Sequence, residues 1–134
     1  MTFNVEKCKV MHIGKNNGRF SYFMDGVKLE EVQLVKDLGL WVSDDLKVSN
    51  QCIKAYSKGS QMLGMINRTM RCKSAKSLLP LYKTLVRPHL EYCTVAWSPY
   101  YIKDKELLER VQHRFTRMIP GFSSRTYENR LRDL

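Results

Sequence analysis

Three observations place this chain in the α+β class. Its N-terminal third carries short apolar runs that alternate with polar residues and are punctuated by Asn, Asp and Gly, as strands joined by tight turns require. From Val48 onward apolar residues recur at helical spacing instead. Charge changes at the same point: residues 1–45 hold six Lys/Arg against seven Asp/Glu, whereas residues 46–90 hold nine Lys/Arg and no acid. The sequence therefore predicts short antiparallel strands over 1–45, followed by a helical bundle over 46–134.

Cys8–Ile13 alternates and is rich in Val, Ile and Met, so it reads as a strand ending at Gly14. Lys15–Arg19 is polar and turn-like. Phe20–Met24 and Val27–Val32 flank Asp25-Gly26, a hairpin signal because that pair tolerates positive φ. Leu38–Val42 reads as a further strand, with Gly39 at a bend or close approach. Ser43-Asp44-Asp45 ends the pattern and is expected to cap the next helix.

Val48–Met70 has apolar residues at 48, 52, 56, 63, 66 and 70, a 3.6-residue period. At about 100° per residue, Lys47, Lys54, Lys58 and Arg68 fall on the opposite side. The next helix, Ala75–Arg87, places Leu78, Tyr82 and Leu85 inside and Lys76, Lys83 and Arg87 outside. Pro88 is expected to kink or break it. Leu90, Tyr92, Val95 and Trp97 then form a second apolar segment to Pro99, which needs neighbours to cover it. Asp104 is expected to N-cap a helix through Ile119, with Leu107, Leu108, Val111, Phe115 and Met118 as its core face. Pro120-Gly121 ends that helix, and Ser124 is expected to cap a last short one within TYENRLRDL.

The whole chain has 134 residues, a hydrophobic share of 43% and a net charge of +10, enough apolar material for one modest core. Its four cysteines, at 8, 52, 72 and 93, include no Cys-x-x-Cys pair, so reduced thiols are expected rather than a zinc site or disulfide framework. Cys8 and His12 would face one metal only on a helix, and no second ligand pair accompanies them. MTFNVEKCKV lacks a long apolar core, and no run approaches the ~18 apolar residues of a membrane span. The expectation is a soluble cytoplasmic or nuclear protein, not a secreted one, and an opening inside a patterned segment fits a piece of something longer.

One stretch, LYKTLVRPHLEY followed by Trp97 and Ser98-Pro99, closely resembles the C-terminal region of reverse transcriptases from LINE-type (non-LTR) retrotransposons. FNVEKCKVMHIG, the DG hairpin, KDLGLWVSDDL, KELLERVQHR and YENRLRDL follow the same order and spacing across nearly all of the chain. The resemblance implies that residues 1–45 are the last strands of a palm and that 46–134 form a thumb, the part that holds the primer–template duplex. The family's catalytic Asp pair lies upstream of the FN-x-x-KC phrase, outside these residues. Two-metal phosphoryl transfer needs those carboxylates, so no enzymatic activity is expected of this chain and no cofactor; the intact polymerase would use Mg²⁺. Asp44-Asp45 follows Val42-Ser43 in the family's palm-to-thumb link and fits capping or solvation better than metal binding. Lys7 matches a lysine implicated in protonating the pyrophosphate leaving group; without a nucleotide it is a strand-edge surface lysine.

The candidate binding residues are Lys54, Lys58, Arg68, Lys76, Lys83 and Arg87. As a one-sided basic face they would neutralise backbone phosphates of DNA, RNA or an RNA–DNA hybrid without reading bases. As a bland alternative they are solvated helix faces. Trp41 is a further candidate for base stacking; Trp97 and Tyr92 are expected in the core, and Tyr100 and Tyr101 fit either burial or stacking. His89 has no nucleophile or acid at recognisable spacing and reads as structural. The sequence is thus expected to be a truncated reverse-transcriptase fragment with weak, sequence-independent binding. The alternatives are a non-enzymatic module whose palm-strand edges pair with the missing palm and fingers or another partner, and a decayed, non-functional reading frame.

Overall fold

A computed structural model describes residues 3–134, which divide into two compact units, Met1–Asn50 and Gln51–Leu134. The architecture is α+β: short paired strands in the first unit, helices in the second.

Within the first unit, Asn4 accepts from the Glu6 amide at 3.1 Å and caps a single 3₁₀ turn, Val5–Lys7. The expected strand over Cys8–Ile13 contracts to β1 (Lys9–Val10). It pairs in parallel with β4 (Glu30–Glu31), a departure from the all-antiparallel expectation. The intervening chain is long enough for a parallel return. It carries the hairpin of β2 (Phe23–Met24) and β3 (Val27–Lys28), which is tied back by Leu29 N to Tyr22 O at 2.9 Å. Asp25 and Gly26 have φ of 49° and 76°, so the turn has the left-handed pair that matches strand twist.

The region expected to be one strand at Leu38–Val42 is instead a second hairpin. β5 (Leu34–Asp37) and β6 (Leu40–Ser43) pair antiparallel around Leu38-Gly39, whose φ values are 45° and 89°. Gly39 supplies its positive φ freely, whereas Leu38 pays about 1–2 kcal/mol for the left-handed region. Its side chain, 86% exposed, gains nothing from burial in return.

Asp45 does not cap the next helix. Its Oδ1 accepts from Ser43 Oγ at 2.7 Å and from the Lys47 amide at 3.0 Å, folding the turn that precedes α1 (Ser49–Thr69).

The second unit buries Leu63 and Ile66 of α1 against Leu78, Tyr82, Val86, Val111, Phe115 and Ile119. Each large side chain so covered contributes about 1.5–3 kcal/mol. Gly59 lets α1 pack closely on Leu90 and Val111: a Cβ there would lie 2.8 Å from Leu90 Cδ2 and 3.7 Å from Val111 Cγ1.

Ser74 caps α2 (Ala75–Leu81) by accepting from the Ser77 amide. The chain then neither breaks nor stops before Pro88. It widens into a π turn, Tyr82–Val86, closed by Arg87 N–H on Tyr82 O, and continues as α3 (Arg87–Glu91). Pro88 has no N–H and its ring crowds the carbonyl four residues back, so a wider turn lets the helix run on through it. Thr84 Oγ1 donates to Pro80 O at 2.9 Å within the same stretch. The extra residue also moves the buried position from Leu85, which is half-buried, to Val86.

Cys93 turns left-handed, with φ of 56°, ahead of α4 (Thr94–Trp97). Trp97 is buried, its Nε1 donating to Tyr92 O at 2.6 Å. Tyr92 itself is exposed and Val95 wholly so, which corrects the expectation of a continuous apolar segment: the left-handed turn at Cys93 interrupts the helical spacing between them.

α5 (Ile102–Met118) starts two residues before the expected cap, with Tyr101 as N-cap, and Asp104 lies buried in its first turn. There its charge complements the helix N-terminus. Val111 and Phe115 are buried, and Leu107, Leu108 and Met118 are half-buried. The last helix, α6 (Tyr127–Arg132), has Thr126 rather than Ser124 at its N-cap, without a side-chain bond.

Candidate nucleic-acid interface

All six candidate cations are exposed. Lys54, Lys58 and Arg68 lie on α1, away from the buried row of Cys52, Ala55, Gly59, Leu63 and Ile66. By helical geometry they fall in a stripe about 80° wide and about 21 Å long. Lys54 and Lys58 are one turn apart, and Lys58 Nζ reaches Gln61 Oε1 at 3.4 Å. Lys76 stands in the first turn of α2 and Lys83 in the π turn. Arg87 opens α3, and its Nε donates to Glu91 at 2.6 Å. That pair shares the Arg87 charge and raises its pKa through the hydrogen bond and charge of Glu91. Lys83 and Arg87 are brought to one site: both line a cavity of about 370 Å³ that also includes Tyr82, Glu91, Gln112 and Phe115. Lys73, just before α2, is engaged with Asn67 Oδ1 at 2.7 Å.

A second basic stripe, which the charge totals of the sequence conceal, lies on α5. Lys103, Arg110, Arg114 and Arg117 are exposed on α5. They fall within about 60° of one another around the helix axis. Residues 91–134 carry eight Lys/Arg against six acids, and that near balance hides the stripe until the residues are sorted by angle.

The electrostatics of the remaining groups follow from their partners. The Ser43 hydroxyl and then the Lys47 amide lower the Asp45 carboxyl to about 2. With Lys47 Nζ at 3.1 Å from Oδ2, both carboxylate oxygens are held by its own loop. Burial pushes Tyr82 up to about 12, with Glu109 adding to it. Burial, then the charge of Asp104, pushes the Cys52 thiol up to about 11, which leaves it an inert core residue. The Ser74 amide and hydroxyl lower the exposed Cys72.

At the junction of α5 and α6, Tyr127 donates to Glu109, and Arg130 Nη2 meets His113 Nε2 at 3.3 Å. Arg130 is only 2% exposed, and its Nε has no partner among the described residues. Of the aromatics, Trp41 is half-buried in β6, Tyr92 is exposed, and Tyr100 and Tyr101 pack on each other at 4.1 Å with Lys103 over the second ring at 5.4 Å. Lys7 is exposed in the 3₁₀ turn, not on a strand edge, and His89 is half-buried.

Among the described residues, no group of three or more His, Cys, Asp or Glu side chains is arranged to hold a metal ion, and no helix is long and apolar enough to cross a membrane. No family model, curated protein or solved structure matches the chain.

Proposed function

We propose that the helical unit binds the sugar–phosphate backbone of nucleic acids without reading sequence, and that the chain corresponds to the palm end and thumb of a LINE-type reverse transcriptase. One observation carries the binding proposal. Nine Lys/Arg and no acid fall in residues 46–90, and the six candidates among them are exposed while Leu63, Ile66, Leu78, Tyr82 and Val86 of the same helical stretch are buried. Such a face neutralises phosphates and releases counterions, which gives affinity without base contacts. The exposed Tyr100–Tyr101 pair adds a surface on which bases stack.

No polymerase chemistry is assigned to these residues. The motif that supplies the catalytic carboxylates precedes the FN-x-x-KC phrase, and both oxygens of Asp45 are engaged with Ser43 and Lys47. Primer extension with Mg²⁺ or Mn²⁺ should therefore be absent. Template-dependent incorporation lost on changing Asp44 and Asp45 to Asn would overturn that assignment.

A second reading has its own observation. Phe20, Phe23 and Leu38 are exposed in the strand-bearing unit, whose strands, among the described residues, pair two by two. Those edges fit a module that adds its strands to a partner's sheet. Titration against two unrelated duplexes of equal length separates the two. Phosphate binding gives equal affinities that fall steeply with salt, whereas a strand-adding module leaves both duplexes unbound.

A further inference from the structure

The cavity beside the π turn has a graded lining. Tyr82 and Phe115 are buried and stacked on each other, with centroids 4.2 Å apart and planes 19° from parallel. Gln112 is half-buried; Lys83, Arg87 and Glu91 are exposed at the solvent side. We propose that this cavity takes one unstacked base of a single-stranded nucleic acid, with the adjoining phosphate held by Lys83 and Arg87. It rests on the phosphate-contact role given above to those two residues, and adds which form of nucleic acid the site selects.

Size, shape and charge all favour this occupant. A cavity of about 370 Å³ is at the small end of ligand pockets, about 300–1,000 Å³, and has room for a heterocycle but not for a duplex. The faces of Tyr82 and Phe115 are taken up by each other, so what they and Leu79, Leu131 and Leu134 give the recess is an apolar floor, against which a splayed-out base packs. The Gln112 amide, which also hydrogen-bonds Tyr127, keeps further donor and acceptor capacity for a base edge. Two cations and one carboxylate at the rim leave a net charge of +1, the complement of one phosphodiester. Glu91 engages the Arg87 Nε at 2.6 Å and so orients the guanidinium, which has further N–H donors for a phosphate oxygen. A paired, stacked base cannot reach such a recess without leaving its helix.

The test uses the full chain, a single-stranded oligonucleotide, a blunt duplex of equal length, and the four nucleoside 5′-monophosphates as competitors. Leu131→Trp fills the cavity from α6, where Leu131 is 39% exposed and the change is tolerable to the fold. Single-strand affinity should fall at least tenfold in that variant, competition by monophosphates should vanish, and duplex affinity should stay within about twofold. Gln112→Leu, which leaves the space open, should flatten any preference among the four monophosphates and serves if the Trp variant fails to fold. Unchanged single-strand binding and competition in the folded variant, with duplex binding intact, overturns the cavity and leaves the basic face standing. Loss of duplex and single-strand binding in the wild type removes both proposals together.

Discussion

Asp45 and His113 show how single residues set local order here. Asp45 is held near 2 by the Ser43 hydroxyl, the Lys47 amide and the Lys47 charge. A carboxylate lowered from 3.8 in this way stabilises the turn above that value, and the contribution is lost as pH falls toward 2. Carbon-13 titration should find Asp45 ionised at pH 3, and Ser43→Ala should raise its midpoint. His113 works from the other side. Its unfolded value of 6.5 is lowered in the fold by burial, then by Arg117 and Arg130, with Glu109 opposing. The neutral ring is the native form, so its contribution is complete above about 6.5 and is lost as pH falls through the lowered native value. Because His113 also touches Arg130 and packs on Tyr127 at 4.5 Å, α6 should loosen first on acidification. Amide exchange at pH 7.5 and pH 5, corrected for intrinsic rates, should show α6 losing protection while the core of α1 keeps it. Equal loss in both would contradict this.

Among the elements, what was legible in the sequence divides by the range of the cause. Asp25-Gly26 announces its hairpin because both residues of the pair tolerate positive φ locally. Leu38-Gly39 makes the same kind of turn but half of its signal is missing, since a leucine does not advertise a left-handed conformation. The helical periods of α1 and α5 were readable, and the core faces at Leu63, Ile66, Val111 and Phe115 are where that spacing puts them. The π turn was not readable from spacing, because a wider turn shifts the register only once the chain must pass Pro88. That shift exchanges Leu85 for Val86 in the core, whereas Lys83 and Arg87, four residues apart, line one cavity as ordinary helical spacing allows. Caps were poorly placed for a related reason. Several polar residues precede each helix, and Asp45 and Asp104 found better uses, one closing a turn and the other buried in a first turn. Two substitutions test the packing. Leu63→Ala should cost about 2–5 kcal/mol in chemical denaturation, as for a wholly buried leucine. Gly59→Val should cost about 1–3 kcal/mol by forcing α1 away from Leu90. An unchanged midpoint for Gly59→Val would mean that Leu90 simply turns aside.

For the molecule as a whole, the uneven placement of charge is the feature that most needs a cause. A net charge of +10 is built almost entirely from residues 46–90, where no carboxylate offsets nine cations. Self-repulsion of that kind weakens a compact state, and a polyanionic partner relieves it. On the proposed reading, the stripes on α1 and α5 and the cations at the π turn are separate points of phosphate contact. The most direct test is the salt dependence of binding to an unrelated duplex, measured for the wild type and for the combined Lys54→Gln, Lys58→Gln and Lys83→Gln variant. If four to six of the candidate cations meet phosphates, log K against log[salt] should slope about −3 to −5 in the wild type, and the variant should be weaker on every sequence, with a slope shallower by about the number of contacts removed. A variant with the wild-type slope and affinity would contradict the role assigned to the basic face.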